Sequence, residues 1–256
     1  MSHYCVGVIV SGKTENEIDE EVKKILEPYD ENIQVEPYIY KTKEAIVEYM
    51  KELKSKYSSK PLNSFNEHYR DYAKKIIALD TDKEMYNFYR SDNKEERFDD
   101  DGNEITTYNP KSKWDWWCYG GRFSDMGDIV KVSEFKPFRE LSKKEISDLC
   151  KLWDYYCGKI ELTDKEAEEL GDIGFFKKEY YVERYGDIET FLKDASARCP
   201  MAIVDENDWY ELGGVGWFGI DDANPSSIKA YYEFVEKFFT DSKNQDKQMV
   251  FVDCHI

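Results

Sequence analysis

Histidine is scarce in this chain, and CxxC cysteine pairs are absent. Only three histidines occur among the 256 residues, so imidazole chemistry has few candidates. The six cysteines are scattered singly, which gives no sign of a metal ribbon or a redox motif. A chain of this length does not depend on disulfides for its stability. We therefore expect reduced thiols, no metal, no cofactor and a cytoplasmic location.

Long apolar runs are also missing. A membrane-spanning helix needs about 18 or more consecutive apolar residues, and no such run occurs. The first residues carry no basic segment ahead of an apolar one, so no signal peptide is predicted. The sequence therefore predicts a protein that neither spans a membrane nor carries a secretion signal.

Basic residues are outnumbered and do not cluster. The chain has 54 acidic against 36 basic residues and a formal net charge of −18. No basic cluster is longer than Lys111-Ser-Lys113. Such a surface repels phosphate backbones and anionic lipids within a Debye length. We expect no direct binding to nucleic acid or to membranes.

Strand and helix patterns alternate at both ends of the chain. Residues 3–10 and 249–256 are apolar runs rich in β-branched residues, which is typical of buried strands. Residues 226–240 carry an apolar stripe at helical spacing. We predict an α+β fold whose mixed or antiparallel sheet is formed by the N- and C-terminal strands, with this helix packed on it.

The middle of the chain reads as a largely helical insertion. Capping boxes and apolar stripes predict helical regions over 41–100 and 136–198 that pack on the sheet. Residues 92–104 form an acidic loop without apolar anchors, which we expect to be mobile and the first site of proteolysis. We predict a single domain over 1–256.

Residues 108–122 are the most distinctive stretch, with three of the six tryptophans inside four positions. In a strand, successive side chains point to opposite faces. Trp114 and Trp116 would then lie on one face, and Asp115 and Trp117 on the other. The stretch ends in two glycines, which permit close backbone approach, and an arginine, a planar donor for anions. We predict a pocket for an aromatic, anionic small molecule; the alternative is an aromatic core with one arginine ion pair. The candidate ligand-binding residues are Trp114, Asp115, Trp116, Trp117, Gly120, Gly121, Arg122 and Trp217.

The terminal strands carry two of the histidines. If the strands are neighbours, His3, Cys5, Asp253 and His255 could share one face, because the spacing within each pair is two. Such a cluster could cut a phosphodiester by acid–base catalysis or hold a metal. Two-histidine phosphoesterases use paired His-x-Ser/Thr strands, whereas here Cys5 takes the hydroxyl position and the chain ends at Ile256 before a second motif is complete. The alternative is that the histidines simply cap a sheet edge.

Five segments together resemble a broad group of uncharacterised bacteriophage and prophage proteins. They occur in the order Pro28–Asn32, Thr107–Arg122, Trp209–Gly213, Gly216–Gly219 and Val252–Ile256. The middle segment, TYNPKSKWDWWxxGGR, is the most specific. Some members carry a CxxCxGxG segment just before it, where this chain has its acidic loop, so no metal is implied. The resemblance implies a phage setting, and with it host takeover or evasion of host defence.

Two functional hypotheses follow. In the first, a phage-encoded protein in the host cytoplasm binds a nucleotide-like ligand and sequesters or cleaves it as a defence signal. In the second, the acidic surface inhibits a host defence protein and the tryptophan motif is structural. The sequence leaves open whether the chain is an enzyme and what its oligomeric state is.

Overall fold

The computed structural model describes residues 2–93, 97–126, 129–171, 173–216 and 220–256. The internal contacts divide the chain into two compact units. The first unit combines the residues up to 31 with 111–256, and the second consists of residues 32–110. A single domain over the whole chain stays a prediction, and each unit is taken by itself below.

The first unit contains a sheet and most of the helices. Its strands are β1 (His3–Val10), β4 (Trp116–Tyr119), β5 (Ile129–Lys131), β6 (Ala202–Val204), β7 (Trp209–Glu211) and β8 (Gln248–His255). Its helices are α1 (Glu15–Leu26), α5 (Lys143–Tyr156), α6 (Asp164–Leu170), α7 (Lys178–Tyr185), α8 (Ile188–Ser196) and α9 (Pro225–Thr240). Short 3₁₀ segments cover Glu27–Tyr29, Gly121–Met126, Val132–Glu134 and Ser242–Asn244.

The sheet of the first unit is mixed, with strand order β4-β8-β1-β6-β7, and β5 also pairs with β8. The strands β1 and β8 are antiparallel over their whole length, from His3 opposite His255 to Val10 opposite Gln248. The strand β6 runs parallel to β1, as expected after a helical crossover. The predicted α+β class, with a sheet built from the N- and C-terminal strands, is confirmed.

Both faces of the central strands are buried. Alternate residues of β1, such as Tyr4, Val6 and Val8, pack with the apolar stripe of α1. The intervening positions, such as Ile9, pack with α9 and its neighbours. The sequence of a strand that is covered on both faces is a continuous apolar run and does not alternate between apolar and polar residues. This explains why the sequence of β1 shows no period of two.

The helix α9 packs on the sheet as its stripe predicts. Asn224 accepts hydrogen bonds from the first-turn N–H groups and Pro225 occupies the first helical position, so the start of the helix is defined locally. The buried side chains of its stripe are Ile228, Tyr231, Tyr232, Val235, Phe238 and Phe239. They share one cluster with Met249 and Phe251 of β8, which confirms the predicted contact.

The second unit has its own secondary structure and core. Its elements are β2 (Gln34–Lys41), α2 (Lys43–Ser58), a 3₁₀ turn (Leu62–Ser64), α3 (Glu67–Ile77), α4 (Asp82–Ser91) and β3 (Glu104–Tyr108). The strands β2 and β3 form an antiparallel pair. Two hydrophobic clusters lie among its helices, one around Ile46 and Tyr86 and one around Met50 and Ile76.

The acidic loop is anchored where the structure describes it. Phe98 packs against the cluster of Ile46 and Tyr86, and the Tyr86 hydroxyl donates to the carbonyl of Gly102 at 2.8 Å. The buried Glu104 carboxylate pairs with Arg97 at 2.7 Å. The expectation of a loop without apolar anchors is therefore wrong for residues 97–104. Residues 94–96 lie outside the described part of the chain.

The packing of α9 leads to a stability test. Phe239→Ala should lower the free energy of unfolding by about 3–5 kcal/mol, because it leaves a cavity between α9 and the sheet. Phe175, whose exposed fraction is 95%, offers a matched control. Phe175→Ala should change stability by less than about 0.5 kcal/mol. Urea denaturation measures both, and equal effects would contradict this packing.

Candidate functional site

Three neighbouring strands bring the candidate catalytic residues together. His255 of β8 lies opposite His3 of β1 and opposite Trp116 of β4. Asp253 lies two residues earlier on β8, so its side chain leaves the same face. The sequence-based placement of both histidines and this carboxylate on one face is confirmed, while their catalytic roles stay predictions. We call His3, Asp115, Trp116, Asp253 and His255 the histidine site.

Each imidazole is bonded to a different carboxylate. Nδ1 of His3 lies 2.9 Å from Oδ1 of Asp253, and Nδ1 of His255 lies 2.6 Å from Oδ1 of Asp115. An ionised carboxylate only accepts hydrogen bonds, so each Nδ1 carries the proton. In the neutral ring this leaves Nε2 as a bare acceptor. The site thus contains two oriented imidazoles rather than one shared network.

The ring of His255 is enclosed by aromatic neighbours. The indole of Trp116 stacks on it with ring centroids 5.0 Å apart and an interplanar angle of 15°. The ring of His3 meets it edge-on at 5.1 Å. Nε2 of His255 is buried and has no hydrogen-bond partner among the described residues. A buried polar atom left unpaired costs about 1–3 kcal/mol, and no contact among the described residues offsets that cost at Nε2.

The two glycines hold the carboxylate of Asp253. Gly120 and Gly121 have φ values of +59° and +52°, which glycine adopts without strain. This turn directs the backbone N–H of Arg122 to Oδ2 of Asp253 at 3.0 Å. A Cβ at Gly121 would overlap the Asp253 carboxylate. The glycines therefore permit close approach, as the sequence suggests, and the group that approaches is a side chain of this protein.

The side chain of Arg122 is exposed. In the part of the chain that the structure describes, no carboxylate forms an ion pair with its guanidinium. The nearby Asp115 bonds to His255 instead. The arginine ion pair of the structural alternative is therefore not found among the described residues.

The tryptophan motif divides between the two faces of the sheet. Trp114 is buried, and its indole N–H donates to the carbonyl of Leu26 at 3.2 Å. Trp117 packs against the same cluster, on the face that α1 covers. Trp116 lies on the other face beside the histidines, with 43% of its surface exposed. The prediction that Trp114 and Trp116 lie on one face is wrong, because the strand β4 begins only at Trp116. Trp217 lies outside the described residues.

Sequence reasoning missed the role of Asp115. It was grouped with the tryptophans as a ligand-binding residue, whereas the structure shows it orienting His255. The two residues are 140 positions apart and meet only because β4 pairs with β8. No local pattern indicates such a pairing.

Cys5 also lies on this face, one strand away from Asp253. Burial and the nearby Asp253 raise the pKa of its thiol to about 12. The thiol therefore stays protonated at neutral pH and is a poor nucleophile. It packs against Met126, with Sγ 3.5 Å from the thioether sulfur.

Comparisons with known proteins add no assignment. No protein-family model, no curated protein and no solved structure matches this chain. Among the described residues, no group of three or more His, Cys, Asp or Glu side chains is arranged to hold a metal ion. No helix in the same residues is long and apolar enough to cross a membrane.

The glycine turn leads to a matched pair of variants. Gly158 also has a positive φ, +68°, but a Cβ there meets nothing within 4 Å. Gly158→Ala should cost only the backbone strain, about 1–2 kcal/mol. Gly121→Ala should cost about 1–3 kcal/mol more, because the methyl group displaces Asp253. Thermal and chemical denaturation check the difference, and equal losses would show that Asp253 is not held by this turn.

Proposed function

We propose that the chain binds a small, anionic, nucleotide-like ligand at the histidine site. The observation that carries the proposal is the exposed indole of Trp116, which lies beside two imidazoles that are each bonded to a carboxylate. A large apolar ring left 43% exposed next to a polar cluster offers a ligand a stacking surface.

The surroundings of this indole favour a ligand with a ring and a negative charge. The exposed indole of Trp116 offers a stacking surface for a base. Arg122, whose backbone N–H bonds to Asp253, supplies an exposed guanidinium that is not engaged by a described carboxylate, and a phosphate fits its fork. A nucleotide contains both groups.

The charge of the chain limits the ligand's size. A net charge of −18 repels a long polyanion, whose many phosphates each need a basic contact. A short ligand with one or two phosphates needs only a local cation. The proposal is therefore a free nucleotide or a short oligonucleotide, not a duplex.

The proposal extends to a biological setting through the resemblance to phage proteins. A phage-encoded nucleotide binder in the host cytoplasm would act against host defence by removing a nucleotide signal. The alternative, an acidic inhibitor of a host defence protein, is favoured by one observation: Trp114 and Trp117 belong to a hydrophobic cluster. That observation leaves Trp116 and the imidazoles without a role, so we place nucleotide binding first.

Calorimetric titration with a panel of mono- and dinucleotides tests the proposal. Trp116→Ala should weaken binding by roughly 5- to 150-fold, since a stacked base contributes about 1–3 kcal/mol. Arg122→Ala should weaken it by at least about tenfold, with an unchanged melting temperature because the side chain is exposed.

Tyr119 offers the matched control. It lies on the same strand as Trp116 and is 45% exposed, but its hydroxyl bonds to Asp19 on the α1 side. Tyr119→Ala should leave the dissociation constant within about twofold of the parent, because it does not contact the histidine site. A parent protein that binds no member of the panel would overturn the proposal. Equal losses of affinity in the Trp116 and Tyr119 variants would show that the ligand does not bind at the histidine site.

A further inference from the structure

The first unit contains a cavity of about 610 Å³ that is distinct from the histidine site. None of the described residues that line it belongs to that site. Met126, Val130 and Phe135 form its apolar side, and Lys136 and Arg198 add two positive charges. Binding sites for small molecules have volumes of about 300–1,000 Å³ and combine apolar walls with a few polar groups. The cavity therefore has the size and the lining of a ligand site.

The apolar wall of this cavity is fixed by contacts with the sheet and with α9. Val130 lies opposite Met249 in the pairing of β5 with β8. The ring of Phe135 packs against those of Phe239 and Phe251, with centroids 5.0 and 5.9 Å away. A wall that is already packed needs little further ordering when a ligand binds, so less of the binding free energy is lost.

Backbone hydrogen bonds bring the two cations to the same cavity. The N–H of Arg198 donates to the carbonyl of Pro137 at 2.8 Å, and the N–H of Arg139 donates to the carbonyl of Ser196 at 2.9 Å. These two bonds join the segment that follows β5 to the end of α8. Lys136 and Arg198 therefore line one cavity although they are distant in sequence.

The charges that line the cavity favour an anion. Among the described residues, no carboxylate forms an ion pair with Lys136 or Arg198, and both side chains are exposed. Two carboxylates also line the cavity, but Glu134 pairs with Lys131 at 3.4 Å. This leaves Asp125 against two cations that are not engaged by a described carboxylate. An anionic group on a ligand can therefore bind between them.

A second cavity, of about 620 Å³, adjoins the first and shares Phe135 and Lys136 with it. Pro137, Phe138 and Phe239 contribute apolar side chains to this second cavity. An apolar chain whose charged end is bound at the cations can extend along these side chains. Each methylene group that it buries there stabilises the complex.

We infer that these two cavities bind a small amphipathic anion, with one carboxylate or phosphate group on an unbranched apolar chain. Lys136 and Arg198 bind the charged group, since the guanidinium fork matches the oxygens of either anion. The apolar chain lies against Val130 and Phe135. This site is separate from the proposed nucleotide site, and neither depends on the other.

Calorimetric titration of the full-length protein with four ligands of equal chain length tests the charged group. Octanoate and octyl phosphate should bind, and the comparison of the two shows which anionic group is preferred. Octanol and octylammonium should bind at least about tenfold more weakly, because they cannot accept charge-assisted hydrogen bonds from the two cations. Decanoate should bind more tightly than octanoate, by up to about fourfold for each added methylene group.

Variants of the lining residues test the placement of the anion. Arg198→Ala and Lys136→Ala should each weaken octanoate binding by about tenfold or more, with an unchanged melting temperature because both side chains are exposed. Asp125→Asn should instead tighten binding by up to about fivefold, because it removes a like charge from the lining. Lys13 is the matched control, since it is exposed and precedes α1, which packs on the opposite face of the sheet. Lys13→Ala should leave the dissociation constant within about twofold of the parent.

The outcomes separate this inference from the proposed function. Failure of both octanoate and octyl phosphate to bind would overturn the inference, as would equal binding of octylammonium. Equal losses of affinity in Arg198→Ala and Lys13→Ala would show that the anion does not bind in this cavity. Trp116→Ala should weaken nucleotide binding and leave octanoate binding within about twofold, and Arg198→Ala should do the reverse. A parent protein that binds octanoate but no nucleotide would support the inference and overturn only the proposed function.

Discussion

The antiparallel pairing of β1 with β8 is the constraint on which the first unit depends. Eight residue pairs join the two ends of the chain, from His3 with His255 to Val10 with Gln248. A slip of one residue would turn every side chain of one strand to the opposite face. Such a slip would expose the core residues of β8 and separate the two histidines. The register that buries the core is therefore the same register that assembles the site.

One row of side chains on β8 contributes both to the hydrophobic core and to the histidine site. Met249 and Phe251 of this row belong to the core under α9, and Asp253 and His255 continue it on the same face. Where the helix no longer covers the sheet, the backbone of the 3₁₀ segment that starts at Gly121 supplies a hydrogen-bond donor to Asp253. The polar cluster thus sits at the end of a rigid apolar support, which is a suitable platform for an oriented site.

Elements with a local sequence pattern could be predicted, whereas the pairing of strands that are distant in sequence could not. The apolar stripe of α9 and the runs of β1 and β8 follow from periodicity and composition, and the structure confirms them. The short strand β4 pairs with β8 across more than a hundred residues, so neither its start nor the bond from Asp115 to His255 had a local pattern. The anchoring of residues 97–104 was missed for the same reason: Glu104 is satisfied by Arg97 and Tyr89, while composition shows only an acidic run.

Stability alone does not account for the histidine site. Asp253 is only 2% exposed, and moving a carboxylate out of water costs several kcal/mol unless it is paired. Here it is paired with His3 and with a backbone N–H, yet apolar residues of similar volume generally stabilise a core as well or better. The unpartnered Nε2 of His255 adds a further penalty that no described contact offsets. Packing energetics therefore do not explain the two oriented imidazoles and the unpartnered acceptor at the end of an otherwise apolar sheet.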